Sequence, residues 1–273
     1  MAGMSLLLVA LAGAKSTLDV SVLDSRGRQV FEQVAAEEFC SCNSALTLAG
    51  CLAQRPDCRV AQHLGRFVIR SIDDGAGADE ILAALSADVL GPFCAPPLKL
   101  EVTGAPQSGP AGAPVVLVEF ADFRCAHCKE AAPLVHATLA RYRDRVRFAF
   151  LPFPLNNHPL GVRAAEASLA ADAQGKFWPM YEQLFAHQDD DFEPQVLARA
   201  AKAAGVDVTR MTKELEAERF RRLVVTFKQQ GLAAGVDSTP SFFVNGRLFK
   251  PTLLMTLSDR IELELDRNQG VCQ

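Results

Sequence analysis

Val115-Val116-Leu117-Val118-Glu119-Phe120 runs through Ala121-Asp122-Phe123-Arg124 into Cys125-Ala126-His127-Cys128. The first six residues form an apolar run short enough for a buried strand. After the second thiol, Lys129-Glu130-Ala131-Ala132-Pro133-Leu134-Val135-His136-Ala137-Thr138-Leu139-Ala140 reads as a helix. A cysteine pair at a strand-to-helix junction points to thiol redox chemistry. Partial positive charge and unpaired N–H groups at a helix start stabilise a thiolate. They can bring the first cysteine's pKa down to roughly 3.5–7.5. Cys125 is therefore the candidate nucleophile and Cys128 the resolving thiol. The competing readings are a structural disulfide and a metal site on Cys125, His127 and Cys128, which lacks an evident fourth ligand.

The chain has 273 residues, enough for one large domain or two ordinary ones. Its hydrophobic content of 49% supports a substantial core. A net charge of −4 gives no electrostatic case for nucleic acid as a partner. Basic residues around Arg141–Arg147 and Arg219–Arg222 read as solvated helix faces. Met4 to Gly13 is a short apolar run ending in Ala12-Gly13-Ala14, like the core and cleavage site of a secretory signal, without a basic start. We read residues 1–14 as the remnant of such a signal, with a periplasmic or extracellular destination. The run is too short to span a bilayer. Eight cysteines fit an oxidising compartment: Cys40, Cys42, Cys51, Cys58, Cys94, Cys125, Cys128 and Cys272.

Residues 15–95 form a Cys-rich N-terminal module. Thr17 to Val34 reads as extended, with Asp24-Ser25-Arg26-Gly27 as a turn, and Ala35 to Leu64 as mainly helical. Another helix starts near Asp79. Prolines and glycines mark residues 96–112 as a connector. Beyond it, Val146–Leu151 reads as a strand and Gly161 to about Gly235 as helical, broken at Gly175, Pro179, Pro194 and Gly205. Ser241–Val244 and Arg247–Phe249 flank Asn245-Gly246, a strong hairpin signal. Leu253–Leu265 closes as a helix.

Four features, in order along the chain, carry a family resemblance. They are Glu119 to Cys128; Pro133 inside the following helix; Gly175-Lys176-Phe177-Trp178 with Leu184-Phe185; and Gly235-Val236-Asp237-Ser238-Thr239-Pro240-Ser241-Phe242-Phe243-Val244-Asn245-Gly246. Together they resemble the DsbA-type thiol oxidoreductases of the thioredoxin superfamily. The resemblance implies an α/β thioredoxin fold over residues 113–268, with a helical subdomain inserted at about 160–233 and the small, mainly helical module in front. It implies that Pro240 is a cis proline, exposing the backbone of Thr239 to an extended substrate. It implies that His127 donates a hydrogen bond or partial charge toward Cys125. Glu119 then lies where the superfamily keeps a buried acidic group, able to relay the proton of Cys128. The competing readings are an untuned exposed histidine, a solvent-facing carboxylate and a simple loop proline. The chain departs from the family at Ala126, where oxidising members usually carry proline. Weaker thiolate stabilisation there makes the disulfide less oxidising.

The activity implied is disulfide exchange by an exported oxidoreductase, most readily as an oxidase, without a cofactor or a metal. An isomerase or reductase, and a non-catalytic binding or assembly protein, are the rivals. Implied partners are unfolded or cysteine-containing secreted proteins and a membrane redox partner. The N-terminal module offers a surface for docking or self-association. Its four cysteines read as structural disulfides stapling a module too small for its own core, with a zinc site or second redox centre as alternatives. Cys272 is expected to pin the tail to Cys94 or to an N-terminal cysteine. Met211, Trp178, Tyr181, Phe185 and Phe192 read as core of the helical subdomain; His63, His136, His158 and His187 show no ligand spacing.

Overall fold

A computed structural model describes residues 18–40, 42, 45–86, 96–158, 160–251 and 256–267. The signal-like segment 1–14, Cys94 and Cys272 lie outside the described residues. The chain divides into two compact units, Met1–Ala95 with Pro251–Gln273 and Pro96–Lys250.

The second unit carries a five-stranded sheet in the order β1-β3-β2-β4-β5. Its strands are β1 (Gln107–Ser108), β2 (Val115–Ala121), β3 (Val146–Pro152), β4 (Ser241–Val244) and β5 (Arg247–Phe249). β2 and β3 are parallel, with Glu119 opposite Phe150, and α5 (Ala126–Arg141) crosses between them. β4 returns antiparallel to β2, setting Phe242 on the other side of Glu119. β4 turns into β5 through Asn245 and Gly246, at φ 48° and 74°. Both central residues at positive φ match the twist of a tight hairpin. A β-carbon on Gly246 would lie 2.2 Å from the Leu98 carbonyl oxygen, so the position also needs glycine for room. α5 contains Pro133, whose missing N–H leaves a gap in the helix ladder.

Five helices separate β3 from β4: α6 (Gly161–Asp172), α7 (Phe177–Ala186), α8 (Pro194–Ala203), α9 (Val208–Glu216) and α10 (Arg221–Ala233). Pro179 does not break α7. It sits in the first turn, where a backbone N–H has no helical partner to lose. Alternate residues of β2 divide between two buried layers. Val118 and Phe120 join Phe153, Val224, Phe227 and Phe243 in one. On the other face Phe150 packs against Phe123, Phe177 and Tyr181. Tyr181, Phe185, Phe192 and Met211 are buried, as a core role requires, and Trp178 is half-buried, stacked on Phe148.

The first unit is helical: α1 (Ser25–Glu37), α2 (Leu48–Gln54), α3 (Arg59–Asp73), α4 (Ala78–Ala84) and α11 (Leu257–Asp266). Val20–Val22 is a single 3-10 turn. The extended reading of Thr17–Val34 is thus corrected. Asp24 is an N-cap, its carboxylate accepting from Gly27 N–H at 2.7 Å, and the apparent turn residues open α1. Two disulfides, Cys40–Cys51 and Cys42–Cys58, tie the segment after α1 to α2 and to the start of α3 respectively.

The division of the chain differs from the sequence expectation at both ends of 113–268. Residues 96–112 belong to the sheet unit: Leu98 N–H bonds the Gly246 carbonyl at 2.7 Å, and β1 pairs antiparallel with Phe148–Ala149 of β3. At the other end, α11 belongs with the Cys-rich unit. Arg70 of α3 forms a bidentate pair with Asp259, at 2.9 and 2.7 Å, and His63 lies 2.5 Å from Asp266. These long-range ion pairs leave no periodic trace in sequence.

Candidate active site

Cys125 caps α5 in extended geometry, so its side chain stands where the helix begins. The backbone N–H groups of Cys128 and His127 reach its sulfur. Both cysteines are free thiols and both are buried. A hydrogen bond from the Cys128 thiol is the main reason the Cys125 pKa is lowered, to about 5, against the opposing cost of burial. In the thiol form Cys125 Sγ donates to the Thr239 carbonyl at 3.1 Å. Thr239 further favours the thiolate. The Thr239–Pro240 peptide bond is cis, as the resemblance implies.

Cys128 sits deeper, fully enclosed. Burial pushes its thiol well up, and donation to Cys125 adds to this; the Asp122 N–H, 3.5 Å away, opposes it. One thiol of the pair is thus biased toward thiolate and the other toward thiol. That asymmetry separates a nucleophile from a resolving group.

Glu119 is fully buried on the central strand, and neither carboxylate oxygen has a hydrogen-bond partner. Its register neighbours are Phe150 and Phe242, so an ionised carboxylate has no compensating contact there. Desolvation raises its pKa to about 8, keeping it a neutral acid at pH 7. Its charge, when present, further disfavours thiolate at Cys128. Tyr181 faces the same pair. Its hydroxyl is buried without a partner, and burial followed by Glu119 pushes its pKa up.

His127 lies in the first turn of α5, between the two thiols. Its ring is exposed, and the group directed at Cys125 is its backbone N–H. Any residue but proline supplies that donor.

Three residues around the thiols have no role in the sequence reading. Asp122 is buried, and its carboxylate accepts from Arg124 N–H at 2.9 Å, Leu155 N–H at 2.8 Å and His158 Nδ1 at 2.6 Å. Its carbonyl accepts from Cys125 N–H at 3.0 Å. Gln188, also buried, donates one amide to the carbonyls of Phe123 at 2.9 Å and Cys125 at 2.7 Å. The helical subdomain thus holds the loop that presents the nucleophile. Only the position of Asp122 in the strand-to-thiol stretch hinted at this; Gln188 and His158 arrive from 63 and 36 residues away.

A sheet of this order, with a Cys-x-x-Cys pair opening the helix after its central strand and a cis proline against the first thiol, defines a thioredoxin-fold protein. Residues 102–262 match the sequence model of the family described as Thioredoxin, and the chain belongs to that family, with a DsbA-like fold. Similar solved structures include BdbD from Bacillus subtilis in its oxidised form, 24% identical, covering 63% of this chain and 96% of that one at a TM-score of 0.54. A thioredoxin-like oxidoreductase from Silicibacter pomeroyi is also 24% identical, covering 61% and 92% at 0.53. Among curated proteins, the Na(+)/H(+) antiporter NhaA 3 of Salinispora tropica is 40% identical over 140 residues, 51% of this chain and 21% of that protein. The antiporter NhaA 1 of Mycolicibacterium vanbaalenii is 38% identical over 137 residues, 49% of this chain and 22% of that protein. The chain thus spans only about a fifth of these relatives. Among the described residues, no helix is long and apolar enough to cross a membrane.

Proposed function

We propose that this protein is an exported thiol–disulfide oxidoreductase that oxidises cysteine pairs in protein substrates through Cys125 and Cys128. The observation carrying this reading is the capping Cys125, lowered to about 5, over an enclosed Cys128 pushed the other way. A stabilised thiolate favours the reduced pair, which makes its disulfide an oxidant.

In the oxidised enzyme a substrate thiolate attacks Cys125 Sγ, and the bond to Cys128 breaks. Cys128 leaves as thiolate and takes a proton, for which Glu119 is the neutral acid beneath it. A second substrate thiolate attacks the substrate sulfur of the mixed disulfide, and Cys125 leaves as the stabilised thiolate. The substrate loses two electrons and two protons overall, and the pair gains them. Thr239 and Pro240 form the edge along which an extended peptide lies, its backbone pairing beside the nucleophile. A membrane redox partner reoxidises the pair, and the setting is periplasmic or extracellular. Transport is not part of this reading, since the antiporter relatives share only 21–22% of their own length with this chain.

Ala126 favours a second reading, disulfide isomerase or reductase, because oxidising relatives usually hold proline there. The potential of the pair separates the two. We expect a value more positive than about −200 mV and efficient oxidative refolding of reduced ribonuclease. A potential near the thioredoxin value of about −270 mV, with rapid insulin reduction, overturns the oxidase direction.

A further inference from the structure

The Cys-rich unit holds a second group of sulfurs that the redox pair does not use. Cys40, Cys51 and Cys58 are buried, and their Sγ atoms all lie within 4.8 Å of one another. The fourth, Cys42, is bonded to Cys58 and half-buried. All four sulfurs of two separate bridges therefore share one small volume. A zinc ion bound to four thiolates at about 2.3 Å holds those sulfurs roughly 3.8 Å apart, so little movement converts one arrangement into the other.

Local structure supports this closure. Cys58 caps α3, and its sulfur accepts the Ala61 N–H at 3.4 Å. Cys51 lies in the first turns of α2, which Thr47 caps through the Gly50 N–H at 3.2 Å. The start of α3 thus opens at the cluster, and its partial positive charge suits a site of net negative charge. Cys40 is pinned by its N–H to the Leu46 carbonyl at 2.9 Å, next to the Phe39–Thr47 bridge. Cys40, Cys51 and Cys58 are each held by a backbone N–H, to the carbonyls of Leu46, Thr47 and Arg55, in bonds that involve no sulfur.

We propose that Cys40, Cys42, Cys51 and Cys58 form a redox-gated site for a divalent zinc-type ion, closed as two disulfides when oxidised and binding metal through four thiolates when reduced. The reductant is a dithiol, and burial dictates the route. An external thiolate meets Cys42 first and releases Cys58; the second thiol of the same reductant then frees Cys42. Two electrons and two protons have entered, and the reductant leaves as its disulfide. Cys58 next attacks the enclosed Cys40–Cys51 bridge at Cys51, releasing Cys40. Attack of Cys42 on Cys58 then releases Cys51 and regenerates the accessible bridge. A second dithiol opens it, leaving four thiols. The metal ion displaces their protons on binding.

The test uses the full chain carrying Cys125→Ser and Cys128→Ser, so that the other thiol pair contributes nothing. Co2+ is added before and after phosphine reduction, with free thiols counted by alkylation and mass. Reduced chain is expected to take up roughly one Co2+ with the absorption of a tetrahedral thiolate site, displaced by Zn2+, while oxidised chain takes up none. Adding Cys58→Ser is expected to weaken binding by more than roughly 100-fold. It is also expected to leave the Cys40–Cys51 bridge resistant to a dithiol that opens it otherwise. The proposal is overturned if fully reduced chain binds no Co2+, if Cys58→Ser retains the spectrum, or if excess reductant leaves the bridges closed. None of these outcomes bears on Cys125, so failure here is separate from failure of the oxidoreductase reading.

Discussion

The Cys-rich unit and the sheet unit both place cysteines at helix starts, yet put them to opposite use. In the sheet unit, Cys125 caps α5 beside a thiol that donates to it and a carbonyl that accepts from it, and both sulfurs stay free. In the Cys-rich unit, Cys58 caps α3 with its sulfur closed in a bridge to Cys42. The helix terminus is common to both, so it does not by itself make a thiol reactive. What differs is the surrounding: one centre is tuned by groups that favour a charge, and the other ties short helices together. A helix start thus supplies a bias, and the neighbouring side chains decide its use.

The sharpest way to break the comparison is Cys125→Ser. Exchange activity is expected to fall by about 10⁴-fold or more, read as oxidation of a dithiol peptide. Substitutions in the Cys-rich unit should leave this rate in place; an equal loss from Cys40→Ser would mean that the centres act as one.

Glu119 gives the next largest effect. Its pKa rises from the ordinary 4.5 to about 8 on folding, so the folded chain holds this proton more tightly. The contribution to stability is fully present below about pH 4.5 and is lost as pH climbs through about 8. The total is at most about 4–5 kcal/mol. Urea unfolding of the oxidised chain, in which Cys125 does not titrate, reads it directly. Glu119→Gln is expected to flatten the slope between pH 5 and pH 8, and an unchanged slope would refute the assignment.

Removing the Cys40–Cys51 bridge, which closes a sequence separation of 11, with Cys40→Ala and Cys51→Ala is expected to cost about 2–4 kcal/mol in the same unfolding experiment. The Cys125 titration, followed by thiolate absorbance, should stay near pH 5. Gln188→Ala should cost about 1–3 kcal/mol by leaving two carbonyls without their donor. His127→Ala should have the smallest effect, changing exchange by less than about tenfold, since the N–H it lends to Cys125 survives the substitution. A larger loss would show that the exposed ring acts as well.

What could be read from sequence was local. The strand at Val115–Ala121, the Asn245-Gly246 hairpin and the thiol pair each declare themselves within a few residues, through alternation, turn chemistry or spacing. Glu119 was recognisable only because its distance from Cys125 matched a known pattern. What escaped was set by contacts far along the chain. The Gln188 clamp, the His158–Asp122 pair and the docking of α11 on α3 have no period of their own. Asp24 shows a different failure: an Asp-Ser-Arg-Gly string serves a turn or a helix cap equally well, and packing decides. Gly27, where a β-carbon would lie 3.1 Å from Ile72 Cγ2, shows that packing chose the helix.

The placement of α11 bears on the order in which the protein is made. The sheet unit, Pro96–Lys250, is wholly contained between the two stretches of the Cys-rich unit. A ribosome therefore releases every strand of the sheet before the residues that pair with Arg70 and His63 exist. The module that begins first finishes last, and α3 must wait with its partner face uncovered while the thioredoxin unit folds.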